Sequence, residues 1–298
     1  MTPAILLSCH GTVESTDDLP AFLANIRRGR PVPAHLVDEV RRRFEAIGGS
    51  PLMRTTRAQA QALADRTGLR VAVAARLWHP YPKEALAELL AEGVRRVVSL
   101  PLAPQSVHVY HASVKEAAGA LGGMEVIEVP SWGDQPRLID AFLEVIDEAL
   151  ATLPADARAS SPVVLSAHSL PQRVIDAGDP YERDFRAMAD LVAARLRARG
   201  HEAHIAFQSQ GATNDVWLGP DLPATFRALA ASGARSVTVA PIGFVADHVE
   251  TLYDLDIEAK ALAEGMGLAF ARASALNARP AFIDALASVA QAAVEKAG

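Results

Sequence analysis

The sequence predicts an α/β protein of two similar Rossmann-like lobes, each with a four-stranded parallel sheet flanked by helices. Short apolar runs alternate with longer amphipathic stretches along the 298 residues. The runs are continuously hydrophobic, which is typical of parallel strands covered on both faces. The two halves of the chain also repeat each other's motifs. Together these observations favour a duplicated parallel α/β lobe over a single large sheet.

The predicted strands and helices follow from these runs. The strands are expected at 4–9, 71–78, 96–102, 125–130, 163–168, 202–208, 236–242 and 268–273. The main helices are expected at 56–67, 83–92, 136–151, 181–199, 223–232 and 280–296. Strands alternating with helical stretches of this length indicate crossover connections in parallel sheets.

Two pairs of segments carry the duplication. Residues 5–11 (ILLSCHG) resemble residues 163–169 (VVLSAHS). Residues 90–101 resemble residues 230–241, with a helix end, a glycine, an arginine, a strand and a proline in the same order. Glycine suits a helix C-terminus because it adopts the left-handed conformation at little cost. Each half therefore begins with a strand that ends in a histidine.

The duplication predicts a first lobe over residues 1–153 and a second lobe over residues 163–275. The residues between them, 154–162, are rich in proline, serine and alanine and predict a linker. A C-terminal helix over 280–298 is expected to pack on either lobe.

The first lobe also contains an insertion at about residues 25–52, with arginine clusters at 27–30 and 41–43. Such clusters are usually solvated helix faces. The alternative is a lid whose planar guanidinium groups receive carboxylates. Both interpretations stay open at this point.

Composition excludes several classes of protein. The net charge is −6 and the pI is about 5.9, whereas a nucleic-acid-binding domain is normally basic. Cys9 is the single cysteine, so one chain supplies neither a disulfide framework nor a cysteine-ligated iron–sulfur cluster. No signal peptide and no apolar run of transmembrane length is evident. A monomeric cytoplasmic protein is expected.

The candidate functional residues lie at two strand ends in the second half. His168 ends a buried strand, and the segment 241–256 runs from a strand end into a helix that is rich in carboxylates. Glu250, Asp254 and Glu258 follow each other at intervals of four residues, which predicts one acidic column on a continuous helix. Because ligands bind at the carboxyl ends of parallel strands, His168 and Glu250 are expected to face one cleft. Taken alone, a histidine at a strand end is more often a hydrogen-bonded core residue, and without its surrounding motif that interpretation is favoured for His168.

These motifs and others along the chain resemble the ferrochelatases, which insert ferrous iron into a porphyrin. The matching stretches are 25–30 (NIRRGR), 44–52 (FEAIGGSPL), 78–80 (WHP), 102–104 (LAP), 166–171 (SAHSLP), 178–181 (GDPY), 208–209 (QS), 217–220 (WLGP) and 241–256. The resemblance implies the chelatase fold, with a porphyrin cleft between two lobes. It is strongest to the soluble Gram-positive enzymes, which use coproporphyrin III, with four propionates, rather than protoporphyrin IX.

The resemblance implies roles for the acidic column and the histidine. His168 and Glu250 match the catalytic pair at the metal-insertion face, where they accept protons and ligate the metal. Asp254 and Glu258 match an outer path along which the metal reaches Glu250. The implied partners are a porphyrin, Fe²⁺ and the haem or coprohaem product. No cofactor beyond the substrate Fe²⁺ and no iron–sulfur cluster is expected.

The resemblance also implies a porphyrin-binding set in the first lobe. Arg27, Arg43, Phe44, Ser50 and Tyr110 match residues that contact the macrocycle or its propionates. Each has an ordinary alternative, since Phe44 could be a core residue and Tyr110 a loop aromatic.

The chain departs from the Gram-positive pattern in places. The first strand ends in residues 10–13 (HGTV) rather than Tyr-Gly-Thr-Pro, so His10 stands where a tyrosine binds product iron. Imidazole is also a competent axial ligand of iron, and His10 is therefore a candidate porphyrin-binding residue and ligand. Gln105 stands where a histidine is common. His108 and His111 are spaced as a metal pair on a helical turn, although polar loop residues are the simpler interpretation.

Two other functions remain open from the sequence. His10 slightly favours a cobalt or nickel chelatase of another tetrapyrrole pathway. A non-catalytic tetrapyrrole- or haem-binding protein is the third candidate, and it would be expected to have lost His168 and Glu250. Because divalent-metal affinity does not itself favour Fe²⁺, the sequence leaves the metal undecided.

Overall fold

Two parallel sheets form the framework of the computed structural model, which describes residues 2–211 and 214–297. The strands are β1 Ala4–Cys9, β2 Val71–Ala75, β3 Arg96–Pro101, β4 Glu125–Glu128, β5 Val163–His168, β6 Ala203–Gln208, β7 Ser236–Ala240 and β8 Ala269–Arg272. Their orders are β2-β1-β3-β4 and β6-β5-β7-β8, with parallel pairing throughout. The predicted fold class is confirmed, and every predicted strand is present within a few residues of its expected ends.

Helices connect the strands and cover both sheets. They are α1 Leu19–Ile26, α2 Ala34–Ala46, α3 Leu52–Thr67, α4 Pro82–Ala91, α5 Val107–Leu121, α6 Pro136–Thr152, α7 Ala155–Arg158, α8 Gln172–Asp176, α9 Tyr181–Arg197, α10 Leu222–Ala231, α11 Val249–Leu252, α12 Lys260–Gly265 and α13 Pro280–Ala297. A 3₁₀ turn, Thr16–Asp18, precedes α1, and a π-helix, Asp254–Ala259, joins α11 to α12.

The two sheets share one register. Ile5 of β1 lies opposite Val98 of β3, and Val163 of β5 lies opposite Thr238 of β7. Ile5 and Val163, and likewise Val98 and Thr238, are equivalent positions in the two halves of the duplication. At the neighbouring edges, the amide of Ala75 donates to a proline carbonyl at 2.7 Å and the amide of Phe207 does so at 2.8 Å. The internal repeat therefore extends from sequence to strand pairing.

The predicted glycine caps recur at equivalent places. Gly93 follows α4 with φ +87°, and Gly233 follows α10 with φ +89°. A side chain at this φ would be strained, so glycine lets each helix end and the chain turn into the next strand.

Helix α5 corrects the loop expected around residues 105–111. Its first turn contains valines and a histidine, which have modest helix propensity, so the sequence pattern there is weak. The buried positions Val107, His111, Val114 and Ala118 nevertheless follow a helical period, and these positions pack the helix onto the first sheet. Packing of an apolar face therefore outweighs local propensity.

The boundary between the two structural units also differs from the prediction. One unit comprises the residues up to Trp132 and those from Asn277, and the other comprises Gly133–Leu276. Helix α6, expected in the first lobe, packs against α9, β7 and β8 and is part of the second unit. The reason is that an amphipathic pattern shows that a helix covers a sheet but not which sheet.

The expected linker at 154–162 is likewise structured. It contains α7, and Arg235 Nη1 lies 3.2 Å from Asp156 Oδ2, which ties α7 to the second unit. The C-terminal helix α13 packs against α3, β3 and β4 of the first unit, while residue 298 lies outside the described part. No helix in the described residues is long and apolar enough to cross a membrane.

Candidate functional site

His168 is the last residue of β5, so the strand delivers its imidazole at the carboxyl edge of the second sheet. Its Nδ1 contacts the carbonyl oxygen of Ser169. A carbonyl only accepts hydrogen bonds, so this contact assigns the proton of the neutral ring to Nδ1 and leaves Nε2 with a lone pair. The hydroxyl of Tyr181 donates to the His168 carbonyl at 2.7 Å and holds the strand end in place. The ring is thus oriented to accept a proton or a metal at Nε2.

Glu250 lies in the first turn of α11 and faces His168, as the sequence predicts. Its Oε1 is 3.6 Å from His168 Nε2, and the two side chains are 31% and 33% exposed. This distance is too long for a hydrogen bond. It is short enough for strong attraction if the imidazole becomes protonated. The structure therefore brings the predicted pair together at an open, partly hydrated place.

His248 is a further neighbour of Glu250 that the sequence interpretation did not single out. Its Nε2 lies 3.6 Å from Glu250 Oε2, and its side chain is largely buried. The Glu250 carboxylate thus stands between two imidazoles. The available signal was the position of His248 two residues before Glu250, because alternate residues of an extended entry into a helix can share a side.

Gln208 is a second missed residue, although it belongs to one of the motif stretches. It lies opposite His168 in the β5–β6 ladder. Its Nε2 donates to the backbone carbonyl of Glu250 at 2.9 Å, and its Oε1 accepts from the Ser166 hydroxyl at 2.8 Å. A buried amide that uses both ends in this way links the strand bearing His168 to the turn bearing Glu250.

The residues of the acidic column, Glu250, Asp254 and Glu258, do not lie on the continuous α-helix that the sequence predicts. α11 ends at Leu252, and a π-helix follows, in which the amide of Glu258 donates to the carbonyl of Tyr253 at 3.1 Å. Four residues advance by about 40° beyond one turn of an α-helix and fall about 30° short of one turn of a π-helix. The two deviations nearly cancel, so the backbone keeps Glu250 and Glu258 on one side.

The outer members of the column differ in exposure. Asp254 is half-buried and accepts a hydrogen bond from the hydroxyl of Ser209, whereas Glu258 is exposed. No group of three or more His, Cys, Asp or Glu side chains in the described part of the chain is arranged to hold a metal ion. The column is thus a graded series of carboxylates from solvent towards Glu250.

The predicted porphyrin-binding residues all lie in the first unit, and their surroundings differ. Arg27 is exposed, and its Nε donates to the carbonyl of Pro31 at 3.0 Å. Arg43 lies on α2 and forms an ion pair of 2.7 Å with Glu39. Arg43 therefore has a carboxylate partner on its own helix, which agrees with the interpretation of the cluster at 41–43 as a helix face.

Phe44 is buried, with 3% of its surface exposed, so it packs as the core residue that the sequence left as an alternative. Ser50 lies between α2 and α3, and its inaccessible hydroxyl oxygen has no hydrogen-bond partner among the described residues. Tyr110 lies on α5 rather than in a loop, and burial raises the pKa of its phenol. Tyr110 therefore stays protonated and can act as a hydrogen-bond donor.

The three remaining histidines of interest have separate environments. His10 directly follows β1 and is exposed. His108 is exposed, but His111 is buried, with Nδ1 2.8 Å from the Ser99 hydroxyl and Nε2 2.9 Å from the Val129 carbonyl. Both ring nitrogens of His111 are therefore engaged, and the metal pair with His108 that the sequence left open does not form.

Comparison with known proteins identifies the family of this chain. The ferrochelatase family model matches residues 2–294. A coproporphyrin III ferrochelatase of Bacillus subtilis is 36% identical over 298 residues, covering 96% of each chain. A ferrochelatase of Acidobacterium capsulatum is also 36% identical, over 98% of this chain and 95% of that protein.

Two solved structures share the fold at low identity. SirB from Bacillus subtilis, solved with Fe³⁺, superposes with a TM-score of 0.65 at 12% identity and covers 100% of this chain and 97% of its own. CbiX, the terminal enzyme of sirohaem biosynthesis in denitrifying bacteria, gives 0.58 at 15% identity, with 97% and 98% coverage. The structural likeness shows the fold, and the family match and the relatives over nearly the whole chain show that this protein belongs to the ferrochelatase family and is a metal chelatase.

Proposed function

We propose that this enzyme inserts Fe²⁺ into a porphyrin of haem biosynthesis, with coproporphyrin III favoured over protoporphyrin IX. One observation carries the proposal. The hydrogen bond from Nδ1 to Ser169 leaves His168 Nε2 with a lone pair, and the Glu250 carboxylate lies 3.6 Å from that atom. Metal insertion needs a proton acceptor and a metal ligand at the same place, and a neutral imidazole beside a carboxylate supplies both.

The separation of the two donor atoms also suits a shared ion. N and O donors about 2.1 Å from one divalent ion, at tetrahedral to trigonal angles, lie about 3.4–3.6 Å apart. His168 Nε2 and Glu250 Oε1 are 3.6 Å apart. Both can therefore ligate one ion without large movement of either side chain.

The protons released by the porphyrin also need acceptors. The porphyrin loses two pyrrole protons, and Fe²⁺ takes their place on the ring nitrogens. His168 Nε2 has one lone pair, so it accepts a pyrrole proton only while it does not ligate the ion, and the Glu250 carboxylate stabilises the imidazolium that results. His248, on the other side of the carboxylate, offers the next acceptor. Asp254 and Glu258 supply the path for the incoming ion, and no resident cofactor takes part.

The substrate preference rests on the resemblance and on the named relatives. Coproporphyrin III carries four propionates, and arginine is well suited to bind carboxylates through its planar fork. The exposed Arg27 lies beside Arg28 and Arg30, so the chain presents a cluster of guanidinium groups. The proposed porphyrin-binding set also includes Arg43, Ser50 and Tyr110, by their match to the family pattern. The side chain of Phe44 would have to become exposed before it could contact the macrocycle.

An anaerobic insertion assay tests the function. Coproporphyrin III and protoporphyrin IX are each supplied with Fe²⁺ and with Co²⁺, and a protein-free reaction is measured in parallel to subtract spontaneous insertion. We expect the highest kcat/KM for coproporphyrin III with Fe²⁺. Faster reaction with Co²⁺ would favour the cobalt or nickel chelatase. Porphyrin binding without insertion above the protein-free background would indicate a non-catalytic tetrapyrrole-binding protein.

A further inference from the structure

Arg272 is a largely buried arginine at the end of β8 that bonds to carboxylates before and after Glu250 in the sequence. Its Nε and Nη2 donate to the two carboxylate oxygens of Asp256, at 2.6 and 2.9 Å. Its Nη1 donates to Asp247 Oδ1 at 3.0 Å. The side chains of Arg272 and Asp247 are each only 12% exposed. One guanidinium thus links the loop before α11 to the π-helix after it.

The link to Asp247 reaches Glu250 through the first turn of α11. Asp247 also accepts a hydrogen bond from the Thr251 hydroxyl at 3.0 Å, and that hydroxyl accepts from the amide of His248 at 3.0 Å. These bonds close the turn that contains Glu250. Burial lowers the pKa of Arg272, but the hydrogen bond to Asp256 and the charges of both carboxylates raise it by more, so the cation persists.

We propose that Arg272 is a positioning residue for metal insertion: by holding Asp247 and Asp256, it orients Glu250 towards His168. This inference deepens the proposed function and rests on it. The segment 247–258 contains five carboxylates. Arg272 engages the two outside the acidic column. The positive charge of Arg272 offsets the negative charges of Asp247 and Asp256. The three carboxylates of the acidic column are therefore the preferred route for a cation.

Asp256→Asn is the first test, because Asp256 is 40% exposed and the variant is expected to fold. An asparagine cannot accept both guanidinium bonds, so the fork is lost while the side-chain size is kept. Steady-state kinetics with Fe²⁺ and coproporphyrin III should show kcat reduced at least tenfold, with the KM for porphyrin within twofold. Calorimetry of Co²⁺ binding to the porphyrin-free protein should show affinity weakened at least fivefold.

Arg235→Gln is the matched control. Arg235 is an exposed arginine that bonds to Asp156 at the start of β7, in the same unit. The Arg235→Gln variant loses an arginine–carboxylate pair, and that pair is not in the segment 247–258. We expect its kcat, both KM values and its Co²⁺ affinity to stay within twofold of the parent.

Variants of Arg272 test the same route. Arg272→Lys keeps the charge but not the fork, so it should recover part of the kcat that Arg272→Gln loses. If Arg272 acts through Asp256, the double variant Arg272→Gln/Asp256→Asn should lose no more kcat than Arg272→Gln alone. If the Arg272 variants do not fold, the kcat and the Co²⁺ affinity of Asp256→Asn test the positioning role.

Three results would overturn the positioning role. The first is Asp256→Asn with kcat and Co²⁺ affinity within twofold of the parent. The second is Asp256→Asn losing no more than Arg235→Gln, and the third is independent, additive losses in the double variant. If the parent protein inserts no metal at all, the proposed function fails. The Co²⁺ affinities of the variants would still show whether Arg272 organises the acidic segment.

Discussion

Replacing Glu250 by glutamine is the sharpest test of the site, because it removes one charge and changes almost no volume. In the parent, Glu250 Oε1 and Oε2 each lie 3.6 Å from an imidazole Nε2, of His168 and His248 respectively. The glutamine amide can neither attract an imidazolium strongly nor take up a proton at this place. We expect the Glu250→Gln variant to bind porphyrin as the parent does but to insert the metal more slowly.

The size of the effect follows from the distance. Opposite unit charges 3.6 Å apart attract by about 1 kcal/mol in bulk water and by about 5 kcal/mol at an effective dielectric constant of 20. Because each kcal/mol of barrier changes the rate about fivefold, these limits correspond to losses of roughly fivefold and 3 × 10³-fold in kcat. Both side chains are about one-third exposed, so screening places the expected loss between the limits, at about 10²-fold.

The chain supplies a matched control for this experiment. His204 Nε2 lies 3.6 Å from Glu202 Oε2 in the same unit, at the start of β6 and on the surface. Glu202→Gln therefore removes the same kind of pair at the same distance, and kcat should stay within twofold. Stopped-flow absorption under anaerobic conditions gives the single-turnover insertion rate of both variants. Equal rates for Glu250→Gln and Glu202→Gln would refute the electrostatic role of Glu250.

Four further outcomes are expected. His168→Ala should lower kcat at least ~100-fold, the scale of a positioned acid–base group, and near-parental turnover would remove it from the mechanism. Asp254→Asn and Glu258→Gln should chiefly raise the KM for Fe²⁺, whereas losses in kcat equal to that of Glu250→Gln would make the column one unit. His10→Ala should change the absorption and resonance spectra of the product complex while insertion stays within tenfold, and unchanged spectra would exclude an axial bond. Burial lowers the pKa of His111 below its ordinary value of 6.5. The unfolded state therefore binds more protons just below that pH, so urea stability should fall as the pH drops below about 6.5 and His111→Gln should flatten that dependence.

Most of the framework could be predicted because parallel strands leave a direct signature. β1 is buried at all six positions, and a continuous apolar run is what such a strand requires. The sequence could not predict which sheet α6 covers, because its apolar face fits either one. Its packing against α9 places it on the second sheet. The π-helix was also hidden, because acids at intervals of four residues satisfy an α-helix equally well.

The site divides in the same way. The proximity of His168 and Glu250 could be predicted because His168 ends a buried strand and Glu250 lies in the helix that follows β7, at the edge where parallel sheets place ligands. Gln208 and His248 act through contacts across strands and turns, and no periodicity marks a residue of that kind. For Phe44 the motif match predicts a contact with the macrocycle, whereas the side chain packs in the core of this structure, so that contact stays a prediction.

The duplicated lobes explain why a shared motif need not carry shared chemistry. His10 and His168 follow equivalent strands, and the register places Arg76 where the second sheet has Gln208. The Ser166 hydroxyl donates to that glutamine, whereas the equivalent Ser8 hydroxyl has no hydrogen-bond partner among the described residues. A glutamine can accept from the serine hydroxyl and donate to a backbone carbonyl at the same time, but an arginine only donates hydrogen bonds and brings a positive charge. We therefore expect the strand end of the second lobe to accept a proton and that of the first lobe to bind carboxylates or the product.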